Sequence, residues 1–131
     1  MKPTAIIALS ALVLACHIGP RASDIEVSHE PGGARTRITA RSGTVFDGEL
    51  LAVADTGLLV LWSRQVSYMP YAQASTLTTP MITLSVATGP PSPADRDRLR
   101  LLSRFPQGLT PDIEARLLAA LHQRAVVVLA P

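Results

Sequence analysis

Polar and apolar positions alternate with period two from Arg35 to Arg41, placing Thr36, Ile38 and Ala40 on one side and Arg35, Arg37 and Arg41 on the other. Such alternation predicts a strand with one buried face, ending at the turn Ser42-Gly43. A longer strand is expected from Thr44 to Ala54, with Gly48 in its interior marking a sharp bend or bulge. Asp55-Thr56-Gly57 turns the chain into Leu58 to Trp62, a nearly continuous apolar run that suits the centre of a sheet. Ser63-Arg64-Gln65 turns again into Val66 to Met69, which Pro70 stops. Pro80 divides two short β-branched segments, Ser75 to Thr78 and Ile82 to Val86, both expected as edge pieces.

The period changes after Gly89-Pro90-Pro91-Ser92-Pro93. Ser92 is placed to cap a helix, with Pro93 in the first helical position and Asp95 completing a capping-box arrangement. That helix is expected to reach about Arg104, with Leu99, Leu102 and Phe105 recurring on its apolar side and Leu101 beside them. Thr110-Pro111 repeats the signal, and Asp112 and Glu114 suit the first turn of a second helix. Ile113, Leu117, Leu118 and Leu121 give that helix one apolar face to about Arg124. Val126 to Leu129 reads as a last strand or an apolar tail. The fold class is therefore α+β: a small, strongly bent antiparallel β-sheet or half-barrel of about five strands over residues 34–88, followed over residues 89–131 by two covering α-helices.

The N-terminus follows a different rule. Ten of the eleven residues from Ala5 to Ala15 are apolar, preceded by Lys2 and followed by Cys16 and the helix-breaking run His17-Ile18-Gly19-Pro20. This is the shape of a secretory signal peptide over residues 1–15, too short for the roughly 20 residues a membrane-crossing helix needs. Residues 16–33, polar and broken by Pro20, Pro31 and Gly32-Gly33, read as a flexible tether spanning roughly 20 Å, with a short strand from Asp24 to Ser28 as the competing reading of its middle.

Val13-Leu14-Ala15-Cys16 resembles the lipobox of bacterial lipoproteins, and the chain as a whole is similar to short lipoproteins of Gram-negative envelopes. The resemblance implies export, lipidation of Cys16 and a membrane as partner. With His17 rather than aspartate after the cysteine, it favours the outer membrane where the host has one. Cys16 is the only cysteine, so no intramolecular disulfide can form. Two or three acyl chains, at about 0.8 kcal/mol per buried methylene, hold far more firmly than one.

Gly43, Gly48, Leu50, Val53 and Asp55, followed by Leu59 and Leu61, are similar to the first motif of the Sm-like fold, a bent small barrel related in shape to SH3-like domains. The match covers about twenty residues. Its RNA-binding members hold nucleotide through an aspartate and an asparagine in this loop and a basic-glycine pair further on. Here Leu58 stands at the asparagine position, Asp55 lies one residue late, and residues 66–77 contain no Arg-Gly or Lys-Gly. The resemblance thus implies a fold without nucleic-acid binding.

Composition adds little. Eleven of the twelve basic residues are arginine, and loss of Lys2 leaves eleven arginines against ten acids, a formal charge of +1. That gives no strong steering of a polyanion. His17, His29 and His122 lack metal-ligand spacing, no Gly-x-Ser-x-Gly or Ser-x-x-Lys appears, and no phosphate-cradling glycine loop is present. No catalytic group, metal or cofactor is therefore expected. Asp47 and Glu49 flank Gly48 and form the one carboxylate pair worth weighing for acid-base or cation chemistry, against a solvated strand face. Trp62, Tyr68, Met69 and Tyr71 gather scarce large side chains and are candidates for a protein contact, with core packing the expected fate of at least two of them. Arg96, Arg98, Arg100 and Arg104 are candidates for an anionic lipid or glycolipid, with Asp95 and Asp97 interleaved to form short-range ion pairs instead. These features predict a lipid-anchored, non-enzymatic binding or scaffolding module for another envelope protein. The alternative is direct binding of anionic envelope lipid through the first helix.

Overall fold

A computed structural model describes residues 32–129; the signal-peptide segment, the lipobox with Cys16, and the Asp24 to Ser28 strand lie outside the described residues. The chain is α+β. Seven strands, β1 (Arg35–Ala40), β2 (Val45–Val53), β3 (Gly57–Trp62), β4 (Gln65–Pro70), β5 (Ala74–Thr78), β6 (Thr83–Ser85) and β7 (Val127–Val128), form one sheet in the order β6-β5-β1-β2-β3-β4-β7. The strand count exceeds five. The sheet is also mixed, because β7 lies parallel to β4 while the other pairs are antiparallel, and it stays open, with β6 and β7 at its two ends. β5 is interior, since its partner β6 takes the edge that the proline breaks led us to expect for both.

β2 changes partners along its length. Its first half, Val45 to Glu49, pairs with β1, and its second half, Glu49 to Val53, pairs with β3 across a register shift between Leu50 and Ala52. Gly48 sits at the changeover, where an added Cβ would lie 2.6 Å from the Leu61 carbonyl oxygen. Only glycine allows so close an approach. Because β1 begins at Arg35, the β1-side edge of Leu50 and Leu51 is bare of strand. The segment after the first helix fills it: Arg104 and Phe105 donate backbone N–H bonds to the Leu50 and Leu51 carbonyls at 3.0 and 2.8 Å.

The core gathers on one side of the sheet around Ile38, Leu50, Leu58, Val60, Met69, Tyr71 and Leu77. Helix α1 (Pro93–Leu102) covers it, with Ser92 Oγ accepting the Asp95 N–H at 3.2 Å and Leu99 fully buried. Leu101, on the outer side, is 80% exposed. Helix α2 (Pro111–Ala120) starts on a Thr110 cap, but none of its residues is buried. Its predicted apolar face, Ile113, Leu117, Leu118 and Leu121, is only half-buried, a shallower cover than that of the first helix. Gln123, just beyond, secures this part of the chain: its amide donates to the Val66 carbonyl and accepts from the Val66 N–H, both at 2.8 Å. One side chain thereby pairs with the edge of β4 as a strand residue would. β7 continues from there, and the Leu129 N–H donates to the Tyr68 carbonyl at 2.8 Å while its side chain enters the core.

Candidate functional site

The aromatic candidates do not share a surface. Met69 and Tyr71 are core residues. Trp62 lies at the Ser63-Arg64 end of the β3–β4 hairpin, half-buried, with its ring edge-on to Phe46 at a centroid distance of 5.1 Å. Tyr68 lies toward the opposite end, its ring over Gly57, where a Cβ would come within 2.7 Å of it, and its hydroxyl bonds to Thr56. Two of the four are thus in the core, which leaves Trp62 and Tyr68 as two separate half-exposed rings.

The turn from Ala54 to Thr56 is the most elaborately held surface element. Tyr71 donates its hydroxyl to the Ala54 carbonyl at 3.0 Å and its backbone N–H to the Thr56 carbonyl at 3.0 Å. Burial pushes the Tyr71 phenol up to about 12, against the opposing pull of the nearby Arg96 charge. Arg96 and Arg100, one helical turn apart on α1, both reach Asp55, at 3.3 and 3.8 Å. Arg96 Nε is closed off from solvent without an acceptor. Arg100 also holds Asp97 at 2.6 Å, and Arg98 holds Asp95 at 3.4 Å.

Arg104 belongs to a different cluster. Its guanidinium grips Glu49 with both arms, Nε to Oε1 at 2.6 Å and Nη2 to Oε2 at 2.5 Å, and the same Oε1 accepts the Gly33 N–H at 2.7 Å. Asp47, two residues back along β2, faces Arg37 directly across the β1–β2 ladder, Nε to Oδ1 at 3.0 Å. The hydrogen bond from Arg37 holds the Asp47 carboxyl below the usual carboxylate range. Asp47 and Glu49 do line one open cleft of about 330 Å³, with Gly32, Gly33 and Arg35. Each carboxylate, however, already answers an arginine.

No family model, curated protein or solved structure matches the chain. Among the described residues, no three His, Cys, Asp or Glu side chains gather as metal ligands, and no helix is long and apolar enough to cross a membrane. The arginine candidates are thus split three ways: Arg96 and Arg100 onto Asp55, Arg98 along its own helix, and Arg104 into the junction with β2. Sequence reasoning identified the local pairs with Asp95 and Asp97. It missed Asp55, Gly33 and Gln123, whose partners lie 16 to 57 residues away; an unpaired-looking glutamine carries no sequence signal of this kind.

Proposed function

We propose that the chain is a lipid-anchored cell-envelope protein, exported and held at a membrane through Cys16, whose folded part is a non-enzymatic binding or scaffolding module for another envelope protein. One observation supports the module over direct chemistry: all the charged side chains singled out for chemistry, Asp47, Glu49, Arg96, Arg98, Arg100 and Arg104, are paired within the fold. A paired guanidinium must give up its carboxylate before it meets a headgroup, so the same observation lends less support to anionic-lipid binding through α1. We also read the sheet as strongly curled, in the manner of the Sm-like and SH3-like small barrels. The run β5-β1-β2-β3-β4, the three-residue 3₁₀ turn Tyr71–Gln73 between β4 and β5, and the change of partner along β2 beside Gly48, with its register shift, support that reading.

Mass spectrometry of the native protein tests the anchor. The expected species begins at Cys16 and carries a diacylglyceryl thioether; an unprocessed, water-soluble chain beginning at Met1 overturns the proposal. Crosslinking in intact cells tests the module, with recovery of one stoichiometric envelope partner expected and recovery of none counting against it.

A further inference from the structure

The outer edge of β4 is completed by the chain's own C-terminal segment, and the geometry points to that segment being exchangeable between two copies of the protein. In the β3–β4 register, Val66, Tyr68 and Pro70 occupy alternate positions along β4. Gln123 satisfies both backbone groups of Val66, the Leu129 N–H satisfies the Tyr68 carbonyl, and Pro70 has no N–H to offer. Without residues 123–129 this edge would be bare, and a bare edge recruits a strand.

The directional bonds that hold residues 123–129 lie along this edge, and the apolar face of α2 adds only half-buried contacts. α2 contributes no buried residue, and Val127 and Val128 are 38% and 60% exposed. Its one deep anchor is Leu129. The connection to the body, Pro106 to Thr110, turns through Gly108 at φ +94°, where nothing lies within 4 Å of an added Cβ. Gly108 is thus a turn position where the backbone is not crowded by neighbouring atoms. Every bond that residues 123–129 make within one copy is available unchanged from a second copy, so exchange alters only the connection itself. The occupant is a second copy because this segment alone is known to carry the matching features: an amide at the Val66 step, β-branched residues beside Ser67 and Tyr68, and a leucine six residues after the amide.

Exchange competes with an intramolecular effective concentration on the order of millimolar for a short connection. Confinement of both copies to one surface, which the proposed anchor would supply, favours the exchanged form, yet exchange does not require the anchor. The test co-expresses two full-length chains, one Y68C and one V128C, which are register partners of β4 and β7. A disulfide-linked heterodimer, several-fold above that formed by Y68C with V45C on a distant exposed position, is expected. No excess over the V45C control overturns the inference. A second variant lacking Pro106 to Leu109, which shortens the connection by four residues and so disfavours closure within one chain, is expected to give a dimer by native mass spectrometry; a folded monomer overturns it. Neither outcome bears on lipidation, so failure here and failure of the anchor are separable.

Discussion

The two helices have similar lengths, matching caps and comparable leucine content, yet they stand in opposite relations to the sheet. α1 places Leu99 in the core and sends the chain directly along the second half of β2, where two backbone bonds and the Glu49–Arg104 pair fix it. α2 buries none of its residues fully: Ile113, Leu117 and Leu118 on its apolar face are half-buried, and the chain beyond it is tied down by Gln123 and β7. An amphipathic pattern thus specifies which face is shielded without specifying how deeply. Past Glu49 β2 has no β1 partner and takes the segment after α1, whereas the edge of β4 takes Gln123 and a strand.

Leucine truncation should separate the two regions most widely. Leu99→Ala removes a fully buried side chain and is expected to cost about 3 kcal/mol in urea unfolding, while Leu118→Ala on half-buried α2 should cost less than about 1 kcal/mol. Equal losses would show that α2 is packed as tightly as α1. Next in size, Arg104→Gln strands a mostly covered Glu49 and should cost about 2 kcal/mol after allowance for solvent screening, against about 0.5 kcal/mol or less for Arg98→Gln at an exposed pair. Gln123→Ala should cost about 1 kcal/mol and, more diagnostically, accelerate hydrogen exchange at the Val66 amide while leaving the Leu50 amide unchanged.

The subtlest change should be a pH dependence confined to the α1 side. Tyr71 has its phenol raised from 10.0 to about 12, so the folded state holds the proton that the unfolded chain releases first. Its contribution is therefore fully present below pH 10 and is lost as pH rises toward 12. Tyr71→Phe should flatten that part of the stability profile; an unaltered slope over the same interval would assign the loss to another group.

Much of the sheet was legible because its signals are local. The alternation in β1, the interior glycine of β2, the apolar run of β3 and the Ser92 and Thr110 caps each reside in a few consecutive residues. β7 was legible only as an open alternative, since two valines specify no partner. The sheet order at both ends, the interior position of β5 and the service of Gln123 as a strand surrogate depend on pairings that no window of sequence contains. The candidate site divided in the same way. Asp95 and Asp97 lie three residues from their arginines and were foreseen, whereas Asp55 lies 41 residues from Arg96 and Glu49 lies 55 from Arg104. That two of the four large side chains are core was foreseen, but which two was not, because Tyr71 lies in a 3₁₀ turn and β4 buries the adjacent Val66 and Ser67, so alternation does not single them out.

Ala34 lies in a slot. Its N–H donates to the Leu102 carbonyl at 2.7 Å, its carbonyl accepts from Leu50 at 2.9 Å, and the preceding Gly33 leaves no space for a side chain against Leu50 and Arg104. Tension along the leading part of the chain would consequently be divided between β2 and the end of α1, loading bonds on both flanks together rather than peeling one strand from a margin.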